Sequence, residues 1–362
     1  MFLFVAGNLL VIPLFFISHP SWGNVPHHFV VPGFRGGATS TSVLLVIAIV
    51  GTTITPWQLF FQQSNVVDKR ITPRWMNYER IDTWIGTFAV VIGAAALMCV
   101  SAFAFNGTPY SGHFTDAGGT AAALEHTLGS TAGALFALVL LNASLIGAGA
   151  VTLCTSYAFG DAFGTRSSLH RSFAEAKGFY AMFALLILGA AGIVLIPGAP
   201  LGLITEAVQA LAGILLPAAT IFLLMLCNDR EVLGPWRNPR WLNALASVVV
   251  GTIVLLSIIL TVTTIFPHVN VKTLALAGAA ALVASLSGIG LWSMRAEGRA
   301  GAMTVIDEGP ALPKEQWTMP PATLLSRPHW STRRRVAMLT LQGYVIVAMI
   351  LLAVKVGQLA GA

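Results

Sequence analysis

Apolar residues recur along almost the whole chain in runs of about 20 or more, the length that crosses a bilayer as a helix. This pattern predicts nine membrane spans, at residues 1–18, 40–66, 82–104, 130–159, 178–197, 203–227, 241–266, 273–294 and 336–357. The one long hydrophilic stretch, 295–335, carries five prolines and is typical of an irregular linker. The pattern therefore predicts an all-α integral membrane protein.

Composition and charge agree with this fold class. Hydrophobic residues make up 56% of the chain and charged residues 9%, against about a quarter charged in soluble domains. The net charge of +6 is no sign of a nucleic-acid partner, because the basic residues follow the loops. They gather in 67–81, 160–177, 228–240 and 295–335, whereas 105–129 and 198–202 contain none. The positive-inside rule then places Met1 in the cytoplasm and the C-terminus outside. The compact loops and the high alanine content favour a bacterial inner membrane.

One span is interrupted in its middle, in the stretch GTTITPWQLFFQQS at 51–64. Pro56 has no N–H, so the carbonyl of Thr52 loses its helical donor, and Thr55 is pushed away from helical geometry. An unsatisfied carbonyl in lipid costs several kcal/mol, and transporters use such breaks to coordinate cations. A plain proline kink, repaired by a threonine hydroxyl or a neighbouring helix, is the alternative. The polar side chains that favour a site are Thr52, Thr53, Thr55, Gln58, Gln62 and Gln63.

Three more polar side chains accompany apolar spans. Gln209 lies eight residues before Pro217 and can offer an amide oxygen to a cation, with an interhelical hydrogen bond as the alternative. Glu206, one turn earlier, is expected near the outer face, where it would guard an entrance or simply be solvated. Asn142 lies in LLNASLIGAGA, whose small residues are typical of close helix packing.

No motif indicates an enzyme. The sequence contains no GxSxG, HExxH or Walker loop, and its three cysteines lie in apolar runs without metal-ligand spacing. We therefore expect no catalytic residue and no cofactor.

These features resemble the Nramp (natural resistance-associated macrophage protein) family of divalent-metal transporters. The sixth helix of that family is broken at a Met-Pro-His motif, and Thr55-Pro56-Trp57 stands at the corresponding place here. The tenth helix of the family resembles Gln209, Pro217 and the end LCNDREVLGPWRN at 226–238, and the loop VVDKRI at 66–71 also fits. The resemblance covers about residues 1–266.

The resemblance implies a LeuT-like fold of inverted repeats that transports divalent cations by alternating access. It implies three metal ligands, the carbonyl of Thr52, the side chain of Thr55 and the amide of Gln209. Because Thr55 replaces a soft thioether with a hard oxygen, we predict a preference for Mg²⁺ or Mn²⁺ over Fe²⁺ and Cd²⁺. Trp57 replaces a histidine linked to proton movement, which predicts transport without proton coupling. The residues expected along the pathway are Gln58, Gln62, Asn142 and Glu206.

The family's first helix, with its Asp-Pro-Gly-Asn-type motif, has no counterpart in this sequence. We therefore expect a partial chain. Its predicted parts are a transporter core at 1–266, an additional membrane helix at 267–294, a cytoplasmic linker at 295–335 and a C-terminal membrane helix at 336–362. The expected partners are the lipid bilayer, a divalent metal ion, and a separate N-terminal half or a second copy. Two alternatives stay open, namely a non-transporting fragment or subunit that needs a separate N-terminal half, and a broken-helix transporter of a small organic solute.

Overall fold

The computed structural model describes residues 2–20, 40–112, 114–266 and 269–300, with positions 23, 25, 27, 317–319 and 335 and parts of 339–354. Every regular element in these residues is a helix. The α-helices are α1 (Phe2–Leu9), α2 (Val11–Ile17), α3 (Ser40–Thr53), α4 (Pro56–Asp68), α5 (Met76–Phe105), α6 (Ala117–Leu128), α7 (Ser130–Phe163), α8 (Lys177–Val194), α9 (Leu201–Leu226), α10 (Arg230–Leu233), α11 (Arg240–Ile265) and α12 (Val271–Ala300). Short 3-10 helices, Pro73–Trp75 and Gly234–Trp236, precede α5 and α11.

The chain divides into two compact units. The first comprises Met1–Gly33 and Trp57–Thr205, and the second comprises Phe34–Pro56 and Glu206–Ala362. The first unit therefore holds α1, α2, almost all of α4, and α5 to α8. The second holds α3, most of α9, and α10 to α12.

The first unit has two apolar cores. Leu14 of α2, Val100 of α5 and Leu124 of α6 are almost fully buried and pack together with the start of α7. At the other core, Tyr157 of α7 and Phe179 of α8 pack with partly buried side chains of α4, α7 and α8. Both cores join helices that follow one another or return to α7, so α7 is the central helix of this unit.

The second unit is built around α11. Ile259 of α11 packs with Ile214 of α9, and Val271 and Leu274 of α12 cover the same core. α11 also packs against α3. The half-helix that ends at the break is therefore held by the same unit that carries Gln209.

Within the part of the chain that the structure describes, six helices are long and apolar enough to cross a membrane, and each matches a predicted span. They are Pro73–Phe105, Ser130–Phe163, Lys177–Val194, Leu201–Leu226, Arg240–Ile259 and Val271–Gly288. Their outward faces are strongly apolar, since Trp84 is 65% and Leu188 70% exposed. Such faces belong in lipid, which confirms the multi-pass membrane class.

The predicted span at 1–18 is interrupted in the structure. α1 ends at Leu9 and α2 begins at Val11, and the apolar helical stretch Ala6–Ile17, which includes the end of α1 and all of α2, is shorter than a membrane span. Pro13 explains the interruption, because it has no N–H for the carbonyl of Leu9 four residues earlier. The break at 40–66, by contrast, lies where it was predicted, with α3 ending at Thr53 and α4 beginning at Pro56.

The interval 105–129, predicted as a loop, contains helix α6. The carboxylate of Asp116 caps this helix by accepting a hydrogen bond from the amide of Gly119 at 2.7 Å. At the other end of the chain, α12 continues to Ala300, into the predicted linker. The remainder of that linker apart from 317–319 and 335, and most of the predicted span 336–357, lie outside the described residues.

Candidate ion-binding site

The break consists of two non-helical residues, Ile54 and Thr55. The amide of Ile54 still donates to the carbonyl of Val50 at 3.1 Å, and the ladder stops there. Pro56 then opens α4 at the first helical position, where a missing N–H does no harm to the new helix. The lost hydrogen bond belongs to the preceding helix, α3, because the residue at position 56 would otherwise have donated to the carbonyl of Thr52.

The nearest threonine does not repair that carbonyl. The hydroxyl of Thr53 donates to the carbonyl of Ile49 at 2.8 Å, one turn further back. Among the described residues, no side chain donates to the carbonyl of Thr52. Thr53 therefore does not supply the repair that the alternative of a plain kink requires.

α3 and α9 cross at a backbone-to-backbone contact next to this carbonyl. A Cβ atom placed on Gly51 would lie 2.4 Å from the carbonyl oxygen of Gln209 and 2.5 Å from the amide nitrogen of Gly213. Both distances are far below van der Waals contact, so only glycine allows this approach. Since Thr52 follows Gly51 directly, the crossing brings the Thr52 segment beside Gln209.

Thr52 and Thr55 differ in burial, and so in the oxygen that each can present to a cation. Gly51 and Thr55 are buried, with Thr55 only 6% exposed, whereas the side chains of Thr52 and Thr53 are exposed. Gln209 is half-buried in α9. Thr52 thus offers its carbonyl, Thr55 a buried hydroxyl, and Gln209 an amide on the adjacent helix.

The donor set of this group is neutral oxygen. No cluster of three or more His, Cys, Asp or Glu side chains that could hold a metal occurs among the described residues. Glu206 lies one turn before Gln209 in α9 and is half-buried. Neutral oxygens suit hard cations such as Mg²⁺, Mn²⁺ and Ca²⁺ better than soft metals.

Four other predicted residues, Trp57, Gln58, Gln62 and Asn142, belong to the first unit. Trp57 lies against Phe61, and its carbonyl accepts a bond from the thiol of Cys154 at 3.1 Å. Gln58 is half-buried and Gln62 exposed on α4. Asn142 donates to the side chain of Asn8 at 2.9 Å, so its amide joins α7 to α1.

A polar cluster that the sequence did not reveal lies at the end of α4. Asp68 accepts hydrogen bonds from the hydroxyl of Tyr157 at 2.6 Å, from the hydroxyl of Ser168 and from the amide of Leu169 at 3.1 Å. Partial burial opposes ionisation, but these bonds and the nearby His170 hold the pKa of Asp68 below its ordinary value. The carboxylate therefore fastens the end of α4 to α7 and to the loop that follows it. The only sequence signal was one acidic residue at the end of an apolar span.

The fold and this geometry define a multi-pass membrane protein with a broken helix that approaches the backbone of a neighbouring helix closely at Gly51. Residues 1–263 match the family described as Natural resistance-associated macrophage protein-like. The chain belongs to this family, which has the LeuT fold and transports divalent metal cations rather than catalysing a reaction. Among curated proteins, none matches the chain.

Proposed function

We propose that this chain binds a hard divalent cation, Mg²⁺ or Mn²⁺, for transport by alternating access, at a site formed by Thr52, Thr55 and Gln209. The observation that carries the proposal is the contact of Gly51 with the backbone of Gln209 and Gly213. This contact supports a site to which the carbonyl of Thr52, directly after Gly51, and the amide side chain of Gln209 both contribute. A cation there gains oxygens that cannot be satisfied by lipid.

The ligand chemistry sets the preference among metals. The carbonyl of Thr52, the hydroxyl of Thr55 and the amide of Gln209 are all hard donors, which Mg²⁺ and Mn²⁺ prefer. Cd²⁺ and Fe²⁺ gain more from a thioether, which is absent here. Because none of the three groups titrates near neutral pH, we also propose that uptake at this site is not coupled to proton movement.

Alternating access needs backbone near the ion that can change its dihedral angles. Ile54 and Thr55 lie outside both α3 and α4, so they can rotate without breaking a helical ladder. Because Thr55 directly precedes α4, rotation of this backbone would move its side chain relative to the ion.

Substitution at Thr55 tests the metal preference. Thr55→Met, introduced into the full chain, should raise binding of Cd²⁺ relative to Mg²⁺, because it supplies a thioether at the ligand position. Thr53→Met is the matched control, since Thr53 lies two residues away on the exposed side and its hydroxyl already bonds to Ile49. An unchanged preference in Thr55→Met, or the same change in Thr53→Met, would show that Thr55 is not a ligand.

A bacterial inner membrane and a requirement for a second chain remain predictions. Co-expression of a separately encoded first half, followed by Mn²⁺ uptake into the cells, tests the requirement. Uptake only when both chains are present would support it, and equal uptake by this chain alone would exclude it.

A further inference from the structure

Pro217 in α9, like Pro56 in the broken helix, lacks the N–H that would bond to the carbonyl four residues earlier. α9 continues through Pro217 without interruption from Leu201 to Leu226. Pro217 has no N–H, so the carbonyl of Gly213, four residues earlier, has lost its regular donor. α9 therefore has one backbone oxygen without its helical partner, in the turn that follows Gln209.

The threonine in this turn bonds elsewhere, as Thr53 does in α3. The hydroxyl of Thr220 donates to the carbonyl of Leu216 at 2.9 Å and to that of Pro217 at 3.1 Å. Among the residues that the structure describes, no side chain donates to the carbonyl of Gly213. Pro217 itself is buried.

The two freed carbonyls belong to residues on either side of the same helix crossing. The Cβ position of Gly51 lies 2.5 Å from the amide nitrogen and 2.8 Å from the Cα atom of Gly213. Thr52 follows Gly51, and consecutive Cα atoms are about 3.8 Å apart. Thr52 is therefore the residue next to the contact on α3, and Gly213 is itself a residue of the contact on α9.

Both carbonyls also point toward the same side of the membrane. Carbonyls of an α-helix point toward its C-terminal end. The segment 40–66 leads into the basic loop 67–81, and α9 leads into the basic loop 228–240, so both run toward the cytoplasmic face. Two carbonyl oxygens without helical donors, on residues near one crossing and directed to the same side, suit a bridging cation.

We propose that the carbonyl of Gly213, freed by Pro217, is a further ligand of the transported cation, paired with the carbonyl of Thr52 across the Gly51 crossing. This inference rests on the proposed function, because it adds an oxygen to the same site. It gives Pro217 a chemical role, namely to keep a donor away from the carbonyl of Gly213.

Restoring the N–H tests this role. In Pro217→Ala the new amide can donate to the carbonyl of Gly213 and compete with the cation. We expect Mn²⁺ binding to the purified full chain in lipid nanodiscs, measured by calorimetry, to weaken about tenfold. We expect the metal-free protein, in contrast, to melt at a higher temperature, because a buried carbonyl has gained its donor. A proline that only shapes the helix would not give these opposite signs.

The controls separate this inference from the proposed function. Pro13→Ala restores an N–H for Leu9 in the first unit and should leave Mn²⁺ affinity unchanged. Pro217→Gly supplies the same N–H without adding a side chain and should also weaken binding, although its helix is less stable than that of Pro217→Ala. Unchanged affinity in both Pro217 variants would overturn the role of Gly213 while leaving the proposed site intact. No Mn²⁺ or Mg²⁺ binding by the unmodified chain would overturn both.

Discussion

Replacing Gly51 with alanine probes the crossing on which the proposed site depends. The added methyl group would lie 2.4 Å from the carbonyl oxygen of Gln209, whereas ordinary contact begins near 3.4 Å. The obstacle is backbone on both sides and cannot rotate away, so α3 and α9 must separate by about 1 Å, the difference between these distances. Overpacking of this kind costs about 1–3 kcal/mol, which a folded protein of ordinary stability survives.

The consequence for binding is larger than the consequence for folding. Oxygen ligands of Mg²⁺ and Ca²⁺ lie within about 2.0–2.6 Å of the ion, so a shift of about 1 Å removes a ligand. We expect Gly51→Ala to weaken Mn²⁺ binding at least about tenfold, a change that calorimetry on the purified chain resolves. The protein should keep a cooperative melting transition.

Gly251→Ala is the matched control for Gly51→Ala. Its methyl group would also lie 2.4 Å from a neighbouring atom, but that atom is the Cδ1 of Leu282, at the far end of a flexible side chain. This variant should bind Mn²⁺ as the unmodified protein does. Equal affinities in both glycine variants would refute the reasoning that the crossing positions the ligands.

Three further predictions concern other parts of the molecule. Tyr157→Phe should lower the free energy of unfolding by about 1–2 kcal/mol at neutral pH, because it removes a hydrogen bond to the carboxylate of Asp68. The pKa of Asp68 is lowered in the folded protein, so the ionised carboxylate stabilises the fold fully above the ordinary pKa of 3.8, and this stabilisation is lost as the pH falls through the folded-state pKa. An Asp68→Asn protein whose melting temperature keeps the same pH dependence would contradict this. Asn142→Leu should cost about 1 kcal/mol of stability by breaking the bond to Asn8, and an unchanged melting temperature would contradict this. Uptake of Mn²⁺ into proteoliposomes should proceed without stoichiometric acidification of the lumen, and a fixed proton-to-metal ratio would show that the coupling argument from Trp57 is wrong.

The lengths of apolar runs and the positions of proline and N-cap residues determine where helices begin and end, so these features can be predicted from the sequence. Long apolar runs identified six spans, and the missing N–H of Pro56 located the break between Thr53 and Pro56. The same rule, applied to Pro13, would have predicted the end of α1 at Leu9. Helix α6 was also accessible in principle, since Asp116 is a typical N-cap.

The contacts between helices could not be predicted from such local sequence features. A glycine in an apolar run such as that at 51 is equally compatible with lipid, with a side chain or with a neighbouring backbone, and only the fold shows which one it meets. Asp68 likewise looks like an ordinary residue at the end of a span until Tyr157 and Ser168 are brought to it from about 90–100 residues away. Such residues acquire their roles through long-range packing, which periodicity does not encode.

Binding of Mn²⁺ to the full chain and to its Gln209→Leu variant, measured side by side by calorimetry in lipid nanodiscs, tests the central claim most directly. Leucine keeps the approximate size of glutamine and removes the amide oxygen. The account predicts saturable binding by the unmodified chain, displaced by Mg²⁺, and affinity at least about tenfold weaker in the variant. Equal affinities in the two proteins would show that the cation binds elsewhere and would contradict the site proposed at the α3–α9 crossing.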